Sequence, residues 1–264
     1  MSNWYLMVDD VPLGAAENMA RDEYLFHLCH EKKMGFFRLY AWDKPSFSFG
    51  VSQKIKKAIN LEFMEKSNGA VAFVRRITGG KTVLHDQEIT YAVVSSEDIF
   101  YRDNDLYRSY MLISTVLVNA FHALGVNAYL SQGTQSHLEL AKSSNPCFSF
   151  PTPNELEIQG KKIAGSAQKR DNQALLQHGS IPLAMDYQKY ADGANSRESI
   201  LKHSMTTLNE VCDKKKGDLQ RALIESFQDF IRRPLEGFEF DQKDKENMVE
   251  LEKKYRSHDW NYRL

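Results

Sequence analysis

Four short stretches hold residue types that can do covalent chemistry or grip a small ligand. In "NPCFSF" (145–150), Cys147 stands between a proline and a phenylalanine in a turn-rich region. An unpaired cysteine is usually a small buried filler, and becomes a nucleophile only where its surroundings favour the thiolate. "QGKKIAGSAQ" (159–168) sets Lys161 and Lys162 at a turn, ahead of Ala164, Gly165, Ser166 and Ala167. Lys161 reads as a solvated turn residue. Strand alternation sends Lys162 to the opposite side, inward, where a lysine needs a partner or a role. The small residues after it let an extended substrate lie against the backbone. In "RRITGGKTVLHD" (75–86), Arg75 and Arg76 can clamp a carboxylate or phosphate, and Gly79 and Gly80 permit close backbone approach. "GGKT" is not a phosphate-binding P-loop, because Arg75 stands where the first glycine of that motif is required. A Gly-Gly pair is equally the mark of a plain turn, and His85 with Asp86 equally a local hydrogen-bonded pair. "LQHGS" places His178 and Gly179 on a strand end, a setting where histidine is more often structural.

The elements that must position these residues follow from composition and pattern. The chain has 264 residues, 42% of them hydrophobic, enough to bury a sizeable core. With 34 basic and 35 acidic side chains the formal net charge is -1, which argues against nucleic-acid binding. Cys29, Cys147 and Cys212 are too few and too scattered for a disulfide framework or a zinc site. The opening "MSNWYLMVDD" lacks the features of a signal peptide, and no segment reaches the ~20 apolar residues of a membrane span. A soluble, cytoplasmic protein without membrane attachment is expected.

"GAAENMARDEYLFHLCHE" reads as a helix whose second half is covered on several sides. "FFRLYAW", "SFSFGV", "AVAFVRR", "KTVLH" and "ITYAVVS" read as short strands, with "INLEFMEKSNG" a short helix among them. The clearest helix is "DNDLYRSYMLISTVLVNAFHALG", stopped at Gly125. "ELEIQGKKIAGSA" gives two strands joined by a tight turn, and "ALLQHGSIPL" another strand. From about residue 217 the chain is helical and charged. The prediction is one α+β domain over 1–264, with a mixed, largely antiparallel sheet flanked by helices.

Together, "RRITGGKTVLHDQEITYAVV", "GKKIAGSAQKR", "LLQHGSIPL", "PLGAAENMARDEYL" and the closing "EKKYRSHDWNY" resemble the lipoate-protein ligase and octanoyltransferase superfamily, related to biotin protein ligases. The resemblance implies a biotin/lipoate protein ligase-like fold with an acyl tunnel. It implies that Arg75, Arg76, Gly79, Gly80 and His85 line the acyl site, and that Lys162 sits at the reacting carbonyl. Gly165, Ser166, Ala167, His178 and Gly179 would lie on the strands alongside. Within this superfamily a ligase activates free lipoate with ATP and Mg, whereas a cysteine-type octanoyltransferase needs no cofactor. The transferase takes the chain from octanoyl-acyl carrier protein onto its own thiol. It then passes the chain to a lysine of a lipoyl carrier domain, such as glycine cleavage H protein or the E2 subunit of a 2-oxoacid dehydrogenase.

Cys147 matches the cysteine of those transferases, and a nearby ammonium would favour its thiolate. A neutral Lys162 would instead accept a proton, and the sequence leaves both roles open. Many bacterial ligases carry an accessory domain after the Trp-containing segment and some have it as a separate protein; here only Asn261–Leu264 follow Trp260, which supports the transferase expectation. The expectation is therefore a monomeric octanoyltransferase using Cys147 and Lys162. The alternatives are an ATP-dependent ligase, an amidotransferase working between carrier proteins, and a non-catalytic acyl-binding module. Arg38, Lys54, Lys56, Lys57, Lys169 and Arg170 are candidates for a basic patch facing acidic carriers.

Overall fold

The computed structural model describes residues 3–100, 106–131 and 155–264. In chain order its strands are β1 (Asn3–Val8), β2 (Met34–Tyr40), β3 (Ser46–Phe49), β4 (Ala72–Arg75), β5 (Val83–His85) and β6 (Glu88–Ser95). They continue with β7 (Tyr129–Leu130), β8 (Leu156–Ile158), β9 (Lys161–Lys162), β10 (Gly165–Arg170), β11 (Leu175–Pro182) and β12 (Glu236–Gly237). Six form one sheet in the order β10-β11-β6-β2-β1-β12. Strands β2, β6, β11 and β10 pair antiparallel, while β1 runs parallel to both β2 and β12. Smaller sheets, β4-β3-β5 and β7-β8-β9, flank it. This is the mixed, largely antiparallel α+β arrangement that the sequence pattern predicts. The strand "NWYLMV", the short strand Tyr129–Leu130 and the short helices Tyr187–Gly193 and Glu198–Ser204 are among the elements that the pattern did not anticipate.

Alternation along the central strands divides the core between the two faces of the sheet. Phe37 and Leu39 of β2, with Ile89, Tyr91 and Val93 of β6, pack on one face. There they meet Ile113, Leu117 and Phe121 of the Leu106–Ala123 helix, and Leu223 and Phe227 of the Lys216–Ile231 helix. Phe36 and Tyr40, with Ala92 and Val94, face the Ala15–Glu31 helix, which buries Met19, Leu25, Phe26 and Cys29. That helix also buries Asn18, Asp22 and Glu23, which no apolar stripe explains. The helix Gln242–Arg256 packs against it from outside, and His258–Tyr262 closes the described chain.

Gly35 shows how tightly the first face is packed. A Cβ there would lie 2.5 Å from ring atoms of Trp4, whose ring sits edge-on to Phe227 and Phe100. Gly35→Ala is expected to destabilise the protein by about 1–3 kcal/mol through overpacking. Urea unfolding at equilibrium measures this, and an unchanged midpoint would mean that the Trp4 ring yields freely.

Candidate functional site

Strand register builds the site. Tyr40, Thr90, Ser180 and Gly165 stand opposite one another across β2, β6, β11 and β10. The next row on the same face holds Arg38, Ala92, His178 and Ala167. Because Gly165 and Ala167 carry almost no side chain, this end of the sheet leaves space. Met19 of the Ala15–Glu31 helix bounds that space on one side, and Ser48, Val83 and His85 of the β4-β3-β5 sheet on another. With Trp42 and Arg76, these residues line a narrow cavity, partly open to solvent. Ser166 and Ala167 are its half-buried lining residues, which places its mouth beside β10.

The cavity is held by hydrogen bonds whose directions can be assigned. A guanidinium only donates and an ionised carboxylate only accepts, so any hydroxyl and imidazole between them must pass hydrogen bonds one way. Arg76 Nη1 donates to Ser48 Oγ (2.8 Å), Ser48 Oγ lies 2.6 Å from His85 Nε2, and His85 Nδ1 lies 3.1 Å from Glu88. Arg76 Nε donates to Thr78 Oγ1 (3.2 Å), Thr78 Oγ1 lies 2.8 Å from His178 Nε2, and His178 Nδ1 lies 2.8 Å from Asp22. The same guanidinium thus heads two parallel relays of arginine, hydroxyl, imidazole and carboxylate. Run in that direction, each relay has the imidazole donating from Nδ1 to its carboxylate and accepting at Nε2 from its hydroxyl. Nη2 of Arg76 donates to the carbonyls of Gly79 (2.8 Å) and Lys81 (3.1 Å), which fixes the shape of the glycine loop.

Both relays end in carboxylates with several donors. Glu88 also accepts from the hydroxyls of Thr90 and Ser180, and Trp42 Nε1 donates to Thr90 (2.8 Å). The Trp42 ring stacks on His85, with centroids 4.0 Å apart. Asp22 also accepts from Arg38 (2.7 Å) and Tyr40 (2.8 Å). Burial alone would push the Asp22 carboxyl up, but the His178 hydrogen bond and the charge of Arg38 hold it below the usual carboxylate range. Burial holds His178 below the usual imidazole range, against the pull of Asp22.

The residues singled out in the sequence divide accordingly. Arg76, His85, Gly165, Ser166, Ala167, His178 and Gly179 come together around the cavity. The Ser166 hydroxyl turns to the other face of the sheet and meets that of Tyr91 at 2.7 Å. Gly179 permits that contact, since a Cβ there would lie 2.7 Å from the Tyr91 ring and 2.8 Å from Ser166 Oγ. Gly80 takes a φ of 82° and abuts Ala167, while a Cβ on Gly79 would meet nothing within 4 Å.

Arg75 requires a correction. Its guanidinium is buried away from the cavity and donates to the carbonyls of Gly50, Val51, Gln53, Trp260 and Asn261. Alternation along β4 sends adjacent arginines to opposite sides, which the pair "RR" by itself conceals. Arg38 is likewise no part of a basic patch. It is fully buried among Asp9, Asn18 and Asp22, whereas Lys54, Lys56 and Lys57 are exposed. Asp86 pairs with Lys189 (2.8 Å), and His85 turns to Glu88 instead of Asp86.

Lys162 points inward, opposite to Lys161, as alternation predicts. It is fully buried and forms an ion pair with Glu155, while Lys161 Nζ reaches the carbonyl of Lys202 at the surface. The turn before it has positive φ at both Gln159 (53°) and Gly160 (76°), the type I′ pattern of a two-residue hairpin. Cys147 lies outside the described residues. Cys29 is buried, and burial pushes its thiol well up, in keeping with a passive role. Met19, Tyr40, Trp42, Ser48, Thr78, Val83, Glu88, Thr90, Ser180 and Asp22 are not among the residues that the sequence singles out. Their legible signals are polar residues in apolar settings: Asn18 and Asp22 one turn apart in the first helix, serine alternating with phenylalanine in "SFSF", and Glu88 and Thr90 on one face of β6. Among the described residues no group of three His, Cys, Asp or Glu could hold a metal, and no helix is long and apolar enough to cross a membrane.

The family profile of the lipoyl protein ligase A/B catalytic domain matches residues 14–231. The chain belongs to that family. Octanoyltransferase LipM of Bacillus subtilis (strain 168) is 36% identical over 271 residues, covering 97% of each chain. Its namesake from Brevibacillus brevis is 43% identical over 190 residues, covering 70% of this chain and 68% of that one. Among solved structures, the putative lipoate protein ligase Ta0514 from T. acidophilum with bound lipoic acid shares the fold at a TM-score of 0.81 and 21% identity. That match covers 99% of this chain and all of the other. Lipoate-protein ligase A bound with ATP shares it at a TM-score of 0.83 and 21% identity, covering 99% of each. The fold is that of the lipoate-protein ligases.

The depressed titration of His178 has a consequence for stability. As pH falls below the unfolded imidazole value of about 6.5, the unfolded chain gains a proton that the native His178 resists. The contribution is fully present above about 6.5 and is lost as pH falls through and below it; Asp22 adds a further loss below about 3.9. Thermal unfolding from about pH 8 to 5 is expected to show a falling midpoint, and the fall is smaller in His178→Asn. Equal slopes in the two proteins would place the titrating group elsewhere.

Proposed function

We propose that the chain is a protein octanoyltransferase of the lipoylation pathway, taking its acyl group from octanoyl-acyl carrier protein and using Cys147 as nucleophile. The observation that carries this reading is the cavity, in a chain whose relatives named octanoyltransferase match it over nearly its whole length. The cavity is walled on its apolar side by Met19, Trp42, Val83 and Ala167, the kind of surface a hydrocarbon chain can lie against. Imidazoles and hydroxyls already satisfied by one another present no unpaired charge to a hydrocarbon tail.

In the first step the Cys147 thiolate attacks the carrier's thioester. A new thioester forms on Cys147, and the carrier leaves as its thiolate and takes up a proton. In the second step a lysine amine of a lipoyl carrier domain attacks that thioester. The amide forms, the amine loses a proton, and the Cys147 thiolate is regenerated. No ATP is consumed. In this reading Lys162, which pairs with Glu155, acts as an ammonium that favours the Cys147 thiolate and the oxyanion of each tetrahedral intermediate. The exposed Lys54, Lys56 and Lys57 suit acidic carriers, and the reaction takes place in the cytoplasm on a monomer.

A second reading, an ATP-dependent lipoate ligase, is favoured by the fold shared with the ATP-bound ligase. It leaves Cys147 idle, so one experiment separates the two. The protein is mixed with octanoyl-carrier protein without ATP, and its intact mass is recorded beside Cys147→Ser. The expected result is a gain of one octanoyl group, released by hydroxylamine and missing in the variant. Transfer of octanoate or lipoate only on addition of ATP would sink the transferase reading.

Lys162→Ala is expected to abolish transfer. Breaking a buried ion pair also costs about 3–5 kcal/mol of stability, so the variant's folding is checked by circular dichroism. A folded variant with native turnover would remove Lys162 from the mechanism.

A further inference from the structure

Arg75 and the end of the chain form a clamp around the cavity loops. The main chain of Arg75 is paired on both sides by the His258–Tyr262 helix: its N–H donates to Asn261 Oδ1 (2.8 Å), and its carbonyl accepts from Trp260 Nε1 (2.8 Å). The guanidinium reaches back to the same helix, with Nε to the carbonyl of Trp260 (3.1 Å) and Nη2 to that of Asn261 (2.9 Å). Nη1 then gathers the carbonyls of Gly50 (3.4 Å), Val51 (3.0 Å) and Gln53 (2.7 Å). Asn261 is itself fixed through Nδ2 by the carbonyls of Tyr255 (2.8 Å) and Ser257 (3.0 Å). The Trp260 ring lies between two cations, Lys254 and Arg263, each 4.1 Å from it.

The loop so held touches the cavity loop directly. Val51 N donates to the carbonyl of Thr78 (2.9 Å), and Arg76 N to that of Phe49 (2.9 Å). Gly50 packs so closely on the glycine turn that a Cβ there would lie 2.1 Å from the Gly80 carbonyl oxygen. The residue after Arg75 is Arg76, which heads both histidine relays. Among the described residues the Arg75 guanidinium is met by backbone carbonyls and by the Phe49 ring, 4.6 Å from it, which makes the placement of those groups the condition for burying its charge.

We propose that Trp260 and Asn261 are positioning residues for the acyl site, acting through Arg75 to hold residues 50–53 and 76–82 in the shape that forms the cavity. The proposal rests on reading the cavity as the acyl site. Its first test needs no substrate, so it stands or falls separately from the transferase reading.

Hydrogen exchange of the full chain is followed by mass spectrometry in the native protein, Asn261→Ala and Trp260→Phe. Trp260→Phe keeps a ring between the two cations and deletes one hydrogen bond, and it decides the matter if Asn261→Ala does not fold. Exchange in 50–53 and 76–82 is expected to quicken about tenfold in Asn261→Ala and severalfold in Trp260→Phe. The distant β1 and β2 should be unchanged. With an octanoyl-pantetheine thioester as probe, KM is expected to rise by about tenfold in Asn261→Ala, with kcat within about twofold of native. Quickened exchange confined to 242–264, or a fall in kcat with KM unchanged, would overturn the proposal.

Discussion

A guanidinium can only donate hydrogen bonds, and one buried guanidinium organises this site. Arg76 stands between the small β4-β3-β5 sheet and the glycine loop: Nη1 is spent on Ser48 of that sheet, and Nε and Nη2 on Thr78 and Gly79 of the loop. Because donation can run only one way, Ser48, Thr78, His85 and His178 are each left with one orientation. Glu88 and Asp22 close the two relays as acceptors. In a site of low dielectric each of these groups would be costly to bury alone, and as a connected set they leave few ways to rearrange.

That network lets an apolar cavity exist beside so much polarity. Donors and acceptors are paired along its walls, so the enclosed surface behaves toward a hydrocarbon chain as the sides of rings and methyl groups. The space itself comes from the strands. Gly165 and Ala167, two residues apart on an edge strand, leave room where larger side chains would have filled it, and Gly179 lets the sheet close behind them.

Much of this architecture is legible in the amino-acid sequence. The first helix, the strands carrying "FFRLYAW", "ITYAVVS" and "LLQHGSIP", and the tight turn preceding Lys162 all announce themselves by periodicity and turn chemistry. Alternation puts Lys162 on the side opposite Lys161, and the structure makes that side the interior. The two arginines do not separate in the sequence, because neighbours in a strand serve opposite faces and the text does not say which face holds the ligand. Arg38 reads as a surface charge until Asp9, Asn18 and Asp22 are found around it. Asp22 escapes a sequence reading because its partner His178 lies 156 residues away; Glu88 is only three residues from His85, and it is the neighbouring Asp86 that draws attention first.

By itself, then, the sequence determined the local elements, the family and the set of small and cationic residues from which a site must be drawn. Each of these depends on spacing or on patterns within a few residues. The tertiary structure decided which arginine faces the cavity, that Asp22 ends the His178 relay, and that the His258–Tyr262 helix holds the loop beside the cavity. These are contacts between residues far apart in the chain. They are set by strand register and by the packing of one sheet against another, and no local pattern encodes them.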